Sequence, residues 1–205
     1  MDKQLLAQFI PFVFLVDSTV MNIGLIGTAI FYEQQEHTVS TILTSPVSDD
    51  EYLGAKIIIA ILNSLVTLVF MTAAIWLVKG VTFTHWAWLP PAIIVTAALH
   101  AMLGIALTYR AKDFTAIMLR GVVYMFVVWL PAVFTLFGLI PEHVVAYLLV
   151  LPPVSAARLL TAGTGTVHGG QLMFAYMYLL LLCAVVYFGI VRPGFRRYVV
   201  REIGV

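Results

Sequence analysis

The sequence predicts an all-α integral membrane protein with about five transmembrane helices and one additional pair of short helices. Two observations support this fold class. The 205 residues are 62% hydrophobic and only 10% charged, whereas a soluble domain averages about 45–50% apolar and about 25% charged residues. The charged residues also cluster, which leaves long uncharged stretches between them. This composition excludes disorder and argues strongly against a soluble globular protein.

Five stretches with at most one charge are long enough to cross a bilayer as helices, which takes about 20 apolar residues. Lipid offers no hydrogen bonds to the backbone, so each stretch is expected to be helical. Runs such as residues 178–183 also lack the alternation of a β-barrel strand. The predicted spans are residues 8–31, 54–78, 88–108, 115–137 and 171–191.

Residues 142–162 are predicted to form a re-entrant or interfacial helix pair between the fourth and fifth spans. The uncharged stretch 143–157 is short for a crossing, and Pro152 and Pro153 interrupt it. Proline removes a backbone donor and restricts the residue before it. We assign all of these elements to a single transmembrane domain, residues 1–205.

Positive charges predict the orientation, because cytoplasmic loops carry an excess of Lys and Arg. Eight of the eleven basic residues fall on the side of residues 34–53, 109–114 and 192–205. We therefore expect a cytoplasmic C-terminus and an N-terminus outside. The net charge of +1 argues against a nucleic-acid partner. The eight are Lys56, Arg110, Lys112, Arg120, Arg192, Arg196, Arg197 and Arg201, and the other three are Lys3, Lys79 and Arg158.

The longest loop predicted in the cytoplasm, residues 33–53, differs in composition from the rest of the chain. Its acidic start extends the first helix past the bilayer, and a short amphipathic helix follows before a proline ends it. Ser48 and Glu51 match a capping box that starts the second span. Membrane-surface helices usually carry Lys or Arg, and residues 33–55 contain none, which favours a protein partner. The residues expected to dock it are Glu33, Glu36, Thr38, Val39, Ile42, Leu43 and Pro46.

This loop resembles the corresponding loop of the type-2 ABC exporter permeases. In that family an acidic helix end precedes a short helix led by Gly-Thr, and a Thr-Pro or Ser-Pro stop follows. A Ser with a following acidic residue then leads to a Lys that enters the next span. The order of the later spans and the proline-led segment 152–158 are also similar to the family. The matching residues here are Glu33, Glu36, Thr38, Ser45, Pro46, Ser48, Glu51 and Lys56, with His37 where the family usually has Gly.

The resemblance implies a permease subunit of an ATP-driven exporter in the plasma (inner) membrane of a prokaryote. A separate cytoplasmic ATPase would dock on the 33–51 loop. Two copies, or one copy and a related permease, would form the translocation path. Family members normally have six spans and this chain begins at what would be the second, so we expect an N-terminally shortened or naturally short permease. The alternative is a non-transporting membrane scaffold or assembly subunit that binds a soluble partner through the same loop.

No catalytic residue, cofactor or metal site is predicted. The chain lacks the Gly-x-x-x-x-Gly-Lys-Ser/Thr loop that holds phosphates, so ATP hydrolysis is expected in a separate subunit. Its five His residues have no short metal-binding spacing. Asp17 and Asn22 are polar residues inside the first span, and an intramembrane carboxylate is a functional hypothesis by default. They either line the translocation path or make a protonated or hydrogen-bonded contact between helices.

Overall fold

The computed structural model describes residues 3–36, 38, 41, 46–80, 85–109, 111, 113–163 and 169–203. Every regular element among these residues is a helix. Five helical stretches are long and apolar enough to cross a membrane, which confirms the predicted all-α fold and its number of spans. These stretches are Phe9–Gln35, Asp49–Val78, Trp86–Thr108, Phe114–Leu136 and Gly169–Tyr198.

Several of the helices extend beyond the apolar stretches that predict them, because their polar ends continue the same backbone. The first is continuous from residue 3 to 35, and the last from residue 169 to 203. The described helices are α1 (residues 3–35), α2 (Asp49–Lys79), α3 (Leu89–Thr108), α4 (Phe114–Leu136), α5 (Glu142–Leu148), α6 (Pro152–Thr161) and α7 (residues 169–203).

Three of the spans contain a π-helical turn, a form that is rare in helices and frequent at functional sites. These turns are Asp17–Met21 in α1, Met125–Trp129 in α4 and Tyr187–Val191 in α7. The turn in α4 ends two residues before Pro131 and contains Val127, four residues before the proline. A proline ring in a regular α-helix clashes with the carbonyl four residues earlier, so this turn accommodates the proline without ending the span.

The ends of α2 and the start of α4 follow local sequence signals. The predicted capping box of Ser48 and Glu51 begins α2. Gly80 ends it in a left-handed conformation with φ 63°, which a residue without a Cβ adopts at little cost. Asp113 begins α4, and its side chain accepts a hydrogen bond from the Ala116 amide at 2.7 Å.

Helix α3 is the centre of the bundle. In its most apolar stretch 67% of the residues are buried, against 17% in α2 and in α4, and it packs against α1, α2 and α7. Gly104 brings α3 very close to α1, because an added Cβ would lie 2.9 Å from the carbonyl oxygen of Ile23. The outer faces of α2, α4 and α7 carry exposed side chains such as Phe70, Phe126 and Phe188, which suits contact with lipid chains.

Helices α5 and α6 form the expected short pair, at the end of the bundle opposite to the 33–53 loop. Helix α6 is inserted among α1, α3, α4 and α7, and its residues from Val154 to Ala157 are at most 1% exposed. Arg158 on α6 forms an ion pair with Glu142 on α5. The Ser155 hydroxyl donates to the Leu149 carbonyl at 2.6 Å, so the turn between the two helices is satisfied internally.

Candidate functional site

The end of the α1–α2 hairpin is held together by three side chains that we call the hairpin clamp: Glu33, Tyr52 and Lys56. The Tyr52 hydroxyl donates a hydrogen bond of 2.7 Å to Glu33 Oε2, and Lys56 Nζ pairs with Glu33 Oε1. The Glu33 and Lys56 side chains are only 25% and 13% exposed. Lys56 Nζ also lies 5.3 Å from the centre of the Tyr52 ring, a cation–π distance. The clamp joins α1 to α2 where the predicted docking loop leaves α1.

The other end of the loop is fixed by the capping box. The Ser48 amide donates to Glu51 Oε2 at 2.7 Å, and the Glu51 amide donates to Ser48 Oγ at 3.3 Å. Asp49, Asp50 and Glu51 occupy the first turn of α2, where negative charge is favoured by the helix dipole. Both ends of the 33–51 loop are therefore anchored to long helices.

Four of the seven residues predicted to dock a partner are described by the structure. Glu33 belongs to the hairpin clamp, so its carboxylate is engaged within the chain. Glu36 and Pro46 are exposed, and Thr38 is half-buried. Val39, Ile42 and Leu43 lie outside the described residues.

The start of α2 is also held by the end of α7. Asp50 accepts hydrogen bonds from the Tyr187 hydroxyl and from Arg192, both at 2.8 Å, and Arg196 Nε lies 3.3 Å from Asp49 Oδ2. The sequence predicted these arginines as a basic segment at the end of the last span. It did not predict their acidic partners, because Asp50 and Arg192 are 142 residues apart.

A cluster of aromatic rings lies next to these ion pairs and connects three helices. Tyr52 on α2 stacks on Phe195 on α7, with ring centres 5.1 Å apart. Tyr109, which directly follows α3, stacks on Tyr198 of α7 at 5.4 Å and contacts Phe195 at 5.8 Å. All four residues are at most 9% exposed. The hairpin clamp thus shares Tyr52 with a packed aromatic cluster at the same end of the bundle.

Asp17 lies near the middle of α1, in its π-helical turn. It is on the outer face of the helix bundle rather than in its interior. Its side chain accepts a hydrogen bond of 3.0 Å from the hydroxyl of Thr67 on α2, and it is half-buried. Met21 on α1 and Asn63 on α2 are exposed nearby. The sequence does contain a signal for the contact between Asp17 and Thr67. The polar residues Asn63, Ser64 and Thr67 interrupt an otherwise apolar second span.

Asn22 faces the interior of the bundle instead. It is fully buried, and its Nδ2 donates to Ser64 Oγ on α2 at 3.0 Å. Thr19, also fully buried, accepts a hydrogen bond of 2.9 Å from Trp129 Nε1 on α4. The structure therefore separates the two residues predicted for the translocation path: Asn22 makes a contact between helices within one chain, whereas Asp17 remains partly accessible from outside it.

A second polar contact inside the bundle involves His100 on α3, which is fully buried. Its Nδ1 lies 2.8 Å from the Thr96 carbonyl oxygen, and its Nε2 lies 2.9 Å from the Tyr124 hydroxyl on α4. Within the part of the chain that the structure describes, no three His, Cys, Asp or Glu residues are grouped so that they could hold a metal ion. His100 is a satisfied interhelical contact.

At the opposite end of the bundle, α3, α6 and α7 enclose an apolar cavity of about 380 Å³. Four of its nine lining residues are aromatic or methionine, and ligand pockets are lined mainly by apolar and aromatic side chains. The principal residues are Trp88, Leu159, Leu172, Met173, Tyr176 and Met177.

Comparison with known proteins identifies two curated relatives. The chain is 27% identical, over 197 residues or 95% of its length, to the fluoroquinolones export permease protein of Mycobacterium tuberculosis strain CDC 1551, of which the alignment covers 80%. The same figures hold for the fluoroquinolones export permease protein of strain H37Rv. The chain is a relative of bacterial export permeases. No family model matches the chain, and no solved structure matches it significantly.

These relatives fit the resemblance to type-2 ABC exporter permeases that the loop motif indicates. Together with the five apolar helices, they support a transport role and a location in a prokaryotic plasma membrane that the chain crosses several times. The curated relatives are transporters by name rather than enzymes.

Proposed function

We propose that this permease is a membrane-spanning subunit of an ATP-driven exporter and that a separate cytoplasmic ABC ATPase docks on its 33–51 loop. The hairpin clamp is the observation that carries the proposal. It fixes the loop to α1 and α2 through contacts with buried or largely shielded side chains, so that a force on the loop moves both helices. Glu36 and Pro46 are exposed and available to the ATPase.

Helix α1 supplies a route from the loop to the opposite end of the protein. At a rise of about 1.5 Å per residue, its 33 residues extend over about 50 Å. Its first segment, Lys3–Val16, packs against the buried helix α6. Closure of the ATPase would displace the loop, and α1 would carry this rigid-body movement to α6, which lies among four spans.

The translocation path in this proposal lies between two copies of the chain, or between this chain and a related permease. Asp17 and the exposed Asn63 place polar groups on the outer face of the α1–α2 pair near the middle of the membrane. Polar groups facing hydrocarbon are unfavourable, and a second subunit over this face would shield them. The same arrangement would leave Asn22 inside each subunit.

The proposed orientation places the 33–51 loop and the end of α7 in the cytoplasm and the N-terminus, α5 and α6 outside. It rests on the excess of Lys and Arg at the loop end of the bundle. Arg192 and Arg196 are both located at this end, where they pair with the first turn of α2.

Co-purification tests the docking step. The tagged chain is isolated from its own membranes, and any ABC ATPase that accompanies it is identified by mass spectrometry. The variant combines Glu36→Lys with Leu43→Asp, which reverses the charge of the acidic rim and adds a charge to the predicted apolar face. We expect loss of the ATPase. Glu202→Lys, which makes the same charge reversal as Glu36→Lys but lies on α7 outside the loop, is the control and should retain it.

An unchanged amount of ATPase with the double variant would refute docking on this loop. The alternative function, a non-transporting scaffold, predicts that no ABC ATPase co-purifies and that the protein supports no ATP-dependent export. Fluoroquinolones are the first compounds to test, because the relatives are named for their export. ATP-dependent efflux of a fluoroquinolone from cells that contain the permease and its ATPase would exclude the scaffold.

A further inference from the structure

A second cavity lies at the loop end of the bundle, between α3 and α7, and the functional proposal does not use it. Its volume is about 260 Å³. It lies where both helices leave the membrane, because α3 ends at Thr108 and the uncharged stretch of α7 ends at Val191, just before Arg192. This is the level of lipid head groups. The lining residues are Ala106, Tyr109, Gly189, Ile190, Gly194, Arg197 and Tyr198.

The charged group among the lining residues is the guanidinium of Arg197. Tyr109 also lines the cavity, but the residue is only 9% exposed and its hydroxyl oxygen is fully buried, so that a ligand in the cavity does not reach it. Arg197 Nε donates to the Pro193 carbonyl at 3.3 Å. Because a guanidinium has five N–H donors, this bond leaves donors for a ligand.

The remaining walls provide space and apolar surface. Gly194 lets α7 approach the Tyr109 ring, since an added Cβ would lie 3.2 Å from Tyr109 Cδ2. A Cβ at Gly189 would meet nothing within 4 Å. Ala106 and Ile190 line the cavity with hydrocarbon. One ligand that matches such a site carries an anionic, hydrogen-bond-accepting head next to an apolar body.

We propose that this cavity binds the head-group phosphate of an anionic phospholipid, with the Arg197 guanidinium as the donor and Ala106 and Ile190 against the lipid's apolar part. Basic pockets between transmembrane helices at the membrane surface bind such head groups. A bound lipid would bridge α3 and α7 beside the aromatic cluster. The proposal does not require coupling to an ATPase, so it can fail while the proposed function stands.

Native mass spectrometry of the full chain in detergent tests the charge requirement. The chain is titrated with phosphatidylglycerol, with phosphatidylcholine and with inorganic phosphate. We expect one tightly held phosphatidylglycerol and weaker binding of the other two probes. Arg197→Gln should weaken phosphatidylglycerol binding about fivefold, the equivalent of about 1 kcal/mol per basic residue. The control Arg196→Gln removes the same charge one residue away from the cavity and should have little effect.

Filling the cavity tests its location without removing a polar group. Gly189→Leu should abolish tight phosphatidylglycerol binding. Gly121→Leu, on α4 at another position where a Cβ has open space, should retain it. Equal lipid binding by all of these variants would mean that the lipid is only peripheral and would overturn the proposal. Inorganic phosphate binding as tightly as phosphatidylglycerol would assign the site to a free anion. Loss of a co-purifying ATPase with unchanged lipid binding would assign it to a protein contact.

Discussion

Asp17 and Asn22 are five residues apart in one helix, but their environments predict different consequences of substitution. Asp17→Asn retains an oxygen that can accept the hydrogen bond from Thr67. We therefore expect the temperature of unfolding in detergent to remain unchanged. Fluoroquinolone efflux should change if Asp17 faces the translocation path, because the substitution removes its carboxyl group. Efflux equal to that of the unmodified protein would exclude this role.

Asn22→Ala should instead reduce stability. The side chain is fully buried, and its loss leaves Ser64 without the hydrogen bond of 3.0 Å between α1 and α2. Leaving a buried polar group unsatisfied costs about 1–3 kcal/mol. Thermal unfolding followed by circular dichroism should show a lower midpoint for Asn22→Ala than for Asp17→Asn. The opposite order would contradict the assignment of Asn22 to the interior.

The hairpin clamp predicts an energetic coupling between Glu33 and Lys56. Glu33→Gln and Lys56→Gln should each destabilise the protein, because each leaves a shielded charge with less compensation. Their effects should not add, since both remove the same ion pair, and a coupling of about 0.5–3 kcal/mol is typical of residues in contact. A double-mutant cycle of thermal or denaturant unfolding measures it. Additive effects would show that the pair contributes nothing beyond its separate side chains.

Gly104 lies at a point where α1 and α3 approach very closely. In Gly104→Ala the new methyl group would lie 2.9 Å from the Ile23 carbonyl oxygen and 3.1 Å from its Cα, so one backbone must move. Overpacking of this kind costs about 1–3 kcal/mol. Gly121→Ala is the matched control, because its Cβ meets no atom within 4 Å. We expect a lower unfolding midpoint only for Gly104→Ala, and equal midpoints would contradict this packing.

The existence of the helices could be predicted because each span satisfies its own backbone hydrogen bonds and must avoid charge. Their local starts could also be predicted, since Ser48 and Glu51 act within one turn. The π-helical turns could not be predicted in this way. The turn at Asp17–Met21 coincides with side-chain contacts from Thr19 to α4 and from Asp17 to α2. Such contacts depend on how the helices pack.

The same limit applies to the candidate site. Sequence pattern identified the 33–51 loop and Glu33, because the acidic end and the proline stop are local features. It placed Glu33 on a surface for a partner, whereas the structure turns its carboxylate toward Tyr52 and Lys56. Those partners are 19 and 23 residues away. A pattern that predicts one helix at a time contains no information about which side chains two helices bring together.

Across the whole molecule, contacts at the loop end connect the first hairpin to the last span. Asp50 of α2 pairs with Arg192 of α7, and Tyr52 stacks on Phe195. Force applied at the 33–51 loop would therefore reach α7 as well as α1 and α2. The start of the polar extension of α7, with Arg192, Phe195 and Arg196, therefore holds the loop end of the hairpin.

The proposed orientation makes a prediction about the whole chain that labelling can check. Cys183 is the only cysteine, and its thiol lies 3.7 Å from the Val95 carbonyl oxygen. Serine can make the same contact, so Cys183→Ser should provide a folded background without thiols. New cysteines are then introduced singly at Glu36, which is exposed at the loop end, and at Tyr147, which is 79% exposed at the opposite end.

In intact cells, a thiol reagent that cannot cross the membrane should label Tyr147→Cys and leave Glu36→Cys unlabelled. Permeabilised cells should show labelling of both, which controls for the reactivity of each new thiol. This expectation follows from the eight of eleven basic residues on the Glu36 side, because an excess of Lys and Arg favours the cytoplasmic side of a membrane. The reverse labelling pattern would place the 33–51 loop outside. It would then remove the cytoplasmic docking surface and the proposed coupling to an ATPase, while leaving the five-span fold intact.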